Sequence, residues 1–198
     1  MKRTQFISLV LFLSLSSVAF SQPKTNLDVI YYLIENNIDK VMTKLPNEVE
    51  PFTFEFSSPE EFNNLEGRYI NKLLNMNLLK ADSSTNGVLK YSLDQIGILY
   101  SEPFRESLLG DYKVERKVFL NANFAFGYGD KVKRSEIVES VYSDTLYYSD
   151  IEKVETQNLS ITHGTKPAEP LFESLLEPII AVGAVVVTII LLFTVRSK

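Results

Sequence analysis

A single histidine, no cysteine, and neither a G-x-S-x-G nor an S-x-x-K motif leave this chain few routes to nucleophilic catalysis. His163 stands beside Gly164 in a stretch that also holds Pro167 and Pro170. Nothing in that stretch fixes an imidazole for a serine partner, so His163 reads as a solvated linker residue. Metal binding needs His, Cys or clustered carboxylates, and the calcium-loop spacing is missing. Glu60-Glu61 sits at an expected helix start, where the macrodipole explains it. Asp144 and Asp150 flank "TLYYS" too loosely for a metal. A carboxylate hydrolase would need two facing acids in a cleft, which the sequence does not indicate. Gly127-Tyr128-Gly129 follows a strand but opens no helix, so it reads as a hairpin loop and not a phosphate cradle. No catalytic residue, no metal site and no cofactor is expected.

The side chains left are suited to binding. Lys131, Lys133 and Arg134, with Lys113, Arg116 and Lys117, form one basic cluster in sequence. Two readings stay open: a solvated face whose charges discourage edge pairing, or a docking patch for an acidic partner. Arg116 is the odd residue, because it falls on the apolar face of its strand. Either it reaches the rim and stacks on Tyr142, or it anchors an anionic ligand or partner. On the second reading, Arg116→Ala would disturb binding more than folding. Tyr128, Tyr142, Tyr147 and Tyr148 crowd the same region, as half-buried sheet residues or as contacts for a glycan or protein. The functional expectation is therefore a non-enzymatic protein whose domain binds a protein partner in an assembly or scaffolding role. A ligand-binding domain for a glycan or small anion is the alternative.

These residues must be held by a fold, and the sequence outlines one. From Leu27 to Leu45, apolar residues at Leu27, Ile30, Tyr31, Ile34, Ile38, Val41, Met42 and Leu45 predict a helix. Thr25 or Asn26 caps it and Pro46 ends it. Phe52, Phe54 and Phe56 alternate with polar residues in a half-buried strand. Ser58, Pro59 and Glu61 have the spacing of a capping box for a second helix. Gly67 inside that helix either admits a close neighbour or is merely tolerated. Asn86-Gly87 signals a turn. In "VLKYSLDQIGILY" the apolar parity flips between Leu93 and Ile96, which demands a bulge near Asp94-Gln95. Residues 112–142 predict a strand pair closed by "GYGDK", with Phe126 facing Val132, Leu120 facing Val138 and Arg116 facing Tyr142. Ser149 and Glu152 are spaced as another capping box. The expected class is α+β: two N-terminal helices packed on an antiparallel sheet of about 4–5 strands, plus a C-terminal transmembrane helix.

Two segments lie outside that domain. Residues 1–21 carry Lys2 and Arg3, the apolar run "FISLVLFL" and small residues Ala19 and Ser21 before Gln22, the layout of a cleaved signal peptide. Pro178–Val195 is eighteen residues without charge, about 27 Å of helix at ~1.5 Å per residue, and is expected to span a membrane. Within it Gly183, Ala184 and Thr188 lie close to one face, where small residues can seat a second helix. The expected division is signal peptide 1–21, α+β domain 22–155, linker 156–174, transmembrane helix 175–195 and tail 196–198. Arg196 and Lys198 place the tail in the cytoplasm and the domain outside. A bacterial inner membrane facing the periplasm suits a disulfide-free exported domain. Residues 22–174 hold 16 Lys and Arg against 24 Asp and Glu, a balance of −8. Nucleic acid is thereby excluded as a partner held by net charge.

Overall fold

The computed structural model describes residues 22–46, 50–79, 87–107, 110–129, 131–168 and the helix 173–195, the last with side chains from 179 to 194. The expected signal peptide, the tail 196–198 and Asn86 of the Asn-Gly turn lie outside the described residues. Helix α1 spans Asn26–Lys44, capped by a reciprocal pair in which Thr25 accepts from the Asp28 amide and Asp28 accepts from the Thr25 amide. Strand β1 is Thr53–Ser57. A 3-10 turn at Glu60–Leu65 leads into α2, Glu66–Asn75. Strands β2 (Gly87–Tyr100), β3 (Lys113–Tyr128) and β4 (Lys131–Tyr147) follow. A short helix α3, Ile151–Val154, and a 3-10 turn at Ser160–Thr162 precede α4, Glu173–Val195.

The fold is α+β, with four strands in the order β1-β2-β3-β4. The sheet is mixed and not wholly antiparallel as expected: β1 runs parallel to β2, and the other pairs are antiparallel. The connection explains this. The chain returns from β1 to β2 through α2, a crossover rather than a hairpin, and a crossover is what parallel neighbours require. Within the domain the helices are not all N-terminal, since α3 follows the sheet.

Helix α1 lies across β3 and β4 and buries Val29, Ile30, Leu33, Ile34, Ile38 and Val41 against Val118, Leu120, Ala122, Phe124 and Val138. The buried stripe is turned by about one residue from the expected one, so Leu27, Tyr31 and Met42 are only half-buried. It takes in two asparagines, Asn26 and Asn37, both fully buried. The bulge between Leu93 and Gln95 is present, and it keeps Leu89, Tyr91 and Leu93 on the same face as Ile98.

Neither capping box on the second half of the sequence pattern forms. Pro59 is extended at φ −52° and ψ 149°, and Ser58 Oγ instead meets Asn63 Oδ1 at 2.9 Å. The turn that follows is 3-10, and its N-terminus has no side-chain cap. The Ser149–Glu152 spacing likewise makes no cap at α3. Gly67 has open space around its absent Cβ. It fills no packing role, so Gly67→Ala should stabilise the domain by about 0.5–1 kcal/mol in denaturant melts, through helix propensity alone.

The β3–β4 register differs from expectation by two residues. Phe126 faces Arg134, Leu120 faces Ser140 and Arg116 faces Asp144. The strands continue to Tyr128 and restart at Lys131, so the loop is shorter than "GYGDK". Gly129 supplies the positive φ of 54°, and a shift at Phe126/Gly127 absorbs one extra residue on β4. At Gly127 a Cβ would lie 2.4 Å from the Lys131 carbonyl oxygen, so only glycine admits this crossing.

The stretch 156–168, expected as loose linker, is tied to the domain. Thr162 is buried and its hydroxyl accepts from the Thr156 amide at 2.9 Å. Thr165 bridges Leu99 of β2, and Gly164 packs against Ile98 and Tyr100. His163 Nε2 lies 2.9 Å from the Thr156 carbonyl, so its ring is held although it stays exposed. In α4 the sixteen described side chains, 179–194, are all exposed. Among the described residues no helix is long and apolar enough to cross a membrane.

Candidate functional site

Arg116 sits on the inner face of β3 and is fully buried. Its guanidinium grips Asp144, directly across on β4, with Nε to Oδ1 at 2.8 Å and Nη2 to Oδ2 at 2.6 Å. Nη1 donates to the Lys24 carbonyl at 2.9 Å and to Asn26 Oδ1 at 2.6 Å. Asn26 passes the network on: its Nδ2 donates to Tyr100 Oη at 2.8 Å and to the Thr162 carbonyl at 2.7 Å. Tyr100 Oη donates to Glu155 Oε1 at 3.2 Å, which also accepts from the Gly164 amide at 3.0 Å. One buried cation therefore joins the N-terminus of α1, β2, β4 and the segment after α3.

Of the two readings left open for Arg116, a stack on Tyr142 or an anchor for an anion, this geometry matches neither as drawn: the guanidinium is engaged by Asp144. Four hydrogen bonds point into the chain, and the side chain has no exposed surface. Tyr142 does lie near it, with the guanidinium 5.9 Å from the ring centroid, but as a flank and not a cross-strand partner. Tyr142 Oη donates to Asp144 Oδ2 at 3.3 Å, and Lys24 hangs over the same ring at 5.9 Å. Burial raises the Tyr142 phenol above its ordinary range, with the Asp144 carboxylate adding to the rise.

The basic cluster comes apart in space. Lys113 faces Tyr147 at one end of the hairpin, while Lys131 faces Tyr128 at the other. Sixteen residues of β4 separate those rows, about 50 Å at ~3.3 Å per residue. A long antiparallel pair sets the two groups of basic residues at opposite ends of the hairpin. Lys113 pairs with Glu106 at 2.8 Å. Arg134 Nε donates to Glu136 Oε1 at 2.6 Å, and Lys44 of α1 meets Glu136 Oε2 at 2.5 Å. Those hydrogen bonds, Lys44's first, lower the Glu136 carboxyl below its ordinary range. Lys131 and Lys133 are exposed beside the hairpin turn.

The outer face of the sheet carries apolar groups in solvent: Val132, Ile137 and Val141 on β4 and Leu99 on β2. Ile137 is 71% exposed, unusual for a strand residue of its size. Among the described residues no strand pairs with the far edge of β4. Two concavities flank this strand. One of about 460 Å³ lies at its C-terminal end between Gln22, Pro23, Thr145, Tyr147, Asp150 and Lys153. The other, about 270 Å³, is at the hairpin end by Lys90, Gly127, Lys131 and Val132. Arg116 lines neither. Among the described residues no three His, Asp or Glu side chains come together as a metal site. Gly183, Ala184 and Thr188 lie on α4 with Thr188 Oγ1 donating to the Ala184 carbonyl at 2.8 Å.

Sequence reasoning missed the buried polar cluster under α1. Asn37 Nδ2 donates to Ser140 Oγ at 3.2 Å and to the Val138 carbonyl at 3.3 Å, while its Oδ1 accepts from Tyr91 Oη at 2.7 Å. Tyr69 joins through its hydroxyl, 3.3 Å from that of Tyr91. The signal was available: Asn37 falls three residues after Ile34 and four before Val41, inside the apolar stripe. Desolvation raises the phenols of Tyr69 and Tyr91 well above their ordinary range and pushes Tyr100 up to about 12. A tyrosine whose folded pKa exceeds its unfolded value favours the fold fully below the unfolded value, here 10.0 for Tyr100. That contribution is lost as pH rises through about 12. An alkaline titration should show late phenolate absorbance rising together with loss of circular dichroism. Tyr100→Phe should remove part of the late phenolate signal.

No protein-family model matches the chain, and no curated protein matches it. Solved structures resemble it only distantly. Rare lipoprotein B from Shewanella oneidensis is 18% identical, with a TM-score of 0.34 over 48% of this chain and 68% of that one. A minor lipoprotein from Acinetobacter baumannii is 12% identical, with a TM-score of 0.34 over 57% and 81%. A putative neuraminyllactose-binding hemagglutinin homolog from Helicobacter pylori is 10% identical, with a TM-score of 0.32 over 56% and 76%. Likeness of that degree carries no argument about fold or function.

Proposed function

We propose that this is a non-enzymatic envelope protein, exported by residues 1–21 and anchored by residues 175–195, whose domain binds a protein partner along β4. The observation that carries the binding role is the open edge of β4, seventeen residues long, with Val132, Ile137 and Val141 exposed on its outer face. Away from Val138 and Glu139, whose carbonyls accept from Asn37 and Lys40 of α1, an edge of that length offers backbone groups to a partner strand, and its apolar side chains give that strand something to cover. Lys131 and Lys133 favour an acidic flank on that partner. The described part of α4 is too short to span by itself, so the anchor reading draws on the sequence 175–195, in which Leu175 and Leu176 before Glu177, and Pro178 after it, extend the uncharged run. Sixteen consecutive uncharged side chains, all exposed, form an apolar surface too large to leave in water. The glycan or small-anion reading has lost its anchor, since Arg116 is committed within the chain.

The test is a photo-reactive residue in place of Ile137, in the full chain in native membranes. A discrete adduct from that site, absent from a probe at Leu74, which is 51% exposed on α2, is the expected result. Equal labelling at both sites, or none at Ile137, overturns the proposal.

A further inference from the structure

The chain leaves the domain through a pole made of rings. Tyr148 Oη donates to the Pro167 carbonyl at 3.0 Å, and Lys166 Nζ meets Glu152 at 2.7 Å, so the exit is fixed there. From Ala168 to the start of α4 at Glu173 the chain can reach at most about 18 Å, at ~3.6 Å per residue. Around the exit, Phe104 and Lys113 exchange both backbone hydrogen bonds at 2.8 Å. The Arg105 guanidinium lies 3.7 Å from the centroid of Tyr112. Lys113 lies over Tyr147 at 5.8 Å and Lys166 over Tyr148 at 5.5 Å. The Tyr148 amide closes the patch by donating to the Tyr112 carbonyl at 2.8 Å. Phe104 and Tyr147 are 37% and 38% exposed, so their rings are available at the surface.

Rings with polar tips, interleaved with long basic side chains, suit the water–lipid boundary, where an apolar body and a wet end are both satisfied. Net charge does not drive the contact here. Lys113 is paired with Glu106, Lys166 with Glu152 and Lys153 with Asp150. We propose that this pole, built on Phe104, Tyr112, Tyr147 and Tyr148, rests in the headgroup layer of the bilayer that holds α4. The inference rests on the single-span reading of α4 and adds an orientation to it. With Tyr147 at the lipid, β4 rises away from the membrane and the hairpin turn stands about 50 Å outward, at ~3.3 Å per residue. The open edge of β4 is then presented to a partner outside the lipid.

The chain has no tryptophan, so Phe104→Trp introduces the sole indole. The full-length variant is reconstituted in phosphatidylcholine vesicles containing brominated lipid. The expected result is a blue-shifted emission that brominated lipid quenches. Val132→Trp, 69% exposed at the other end of β4, stays red-shifted and unquenched. Tyr147→Trp serves as the probe if Phe104→Trp does not fold, judged by circular dichroism. Vesicle flotation tests the anchor separately. A chain that fails to float overturns the single-span reading and this proposal with it. A chain that floats with unquenched indole at both probe positions overturns this proposal alone. Quenching that vanishes in high salt overturns it too, because a contact made by rings is insensitive to screening.

Discussion

Arg116→Ala should cost the domain about 3 kcal/mol, the low end of the range for breaking a buried ion pair, because Asp144 keeps 23% of its side chain exposed. The substitution strands the Asp144 carboxylate, the Lys24 carbonyl and Asn26 Oδ1, all of which accept from this guanidinium. Against a total stability of about 5–15 kcal/mol, the loss is a large fraction. A thermal melt followed by circular dichroism should fall by roughly 10 °C. The double variant Arg116→Met, Asp144→Leu should recover much of that loss, because a buried pair replaced by packed apolar groups is often neutral. Recovery will be incomplete, since Asn26 and Lys24 still lack a donor. A melt of Arg116→Ala within about 1 kcal/mol of the parent, with binding lost, would restore the ligand-anchor reading. The sequence leaves both a structural and a ligand role open for this residue. An arginine on an apolar strand face points outward to a ligand or inward to a carboxylate, and only the β4 register decides. With Tyr142 opposite, the guanidinium would have had a ring to lie on; with Asp144 opposite, it has a bidentate acceptor.

That two-residue difference shows where the sequence stops being legible. Alternation along β3 and the parity flip in β2 are local, each set by which side chains meet the helices, and both were readable. Register depends on loop length, and "GYGDK" is compatible with more than one loop. The structure uses the shorter loop with a shift at Phe126/Gly127, because Gly127 alone lets the strands cross there. The parallel pairing of β1 was hidden for a related reason: Phe52, Phe54 and Phe56 announce a strand but not its neighbour or direction. Ser58-Pro59-Glu61 announced a cap, yet a 3-10 turn took those residues, and the tertiary contacts of Phe62 and Leu65 outweighed a preference worth about 1 kcal/mol. The basic cluster was a cluster only along the chain. Lys131, Lys133 and Arg134 are legible as basic residues, but their position beside the outer edge of the sheet follows only from the strand order.

The second large effect concerns Asn37, where one atom decides between a satisfied and a repelled site. Its amide nitrogen faces the Val138 carbonyl and Ser140 Oγ, while its oxygen takes the Tyr91 proton. Asn37→Asp keeps the shape but sets a carboxylate oxygen against the Val138 carbonyl, in a pocket with no exposure. Burial raises the pKa of such a carboxyl, because the charged form has lost its water. A folded pKa above the unfolded one favours the fold below the unfolded value and is lost as pH rises through the folded one. The variant should therefore be closer to the parent in mildly acid buffer and fall behind it toward neutrality, by several kcal/mol at most. Asn37→Leu separates charge from lost hydrogen bonds. It leaves Ser140 Oγ without the amide donor and Tyr91 Oη with only Tyr69 nearby, at a cost of about 1–3 kcal/mol with no such dependence on pH. Denaturant melts of the two variants across that pH range decide the matter. If Asn37→Asp and Asn37→Leu track each other at every pH, the cost lies in packing and not in the polarity of this cluster. If they diverge as pH rises, the cluster beneath α1 requires a neutral donor at Asn37, and the rotation of α1 against β4 is set by that amide.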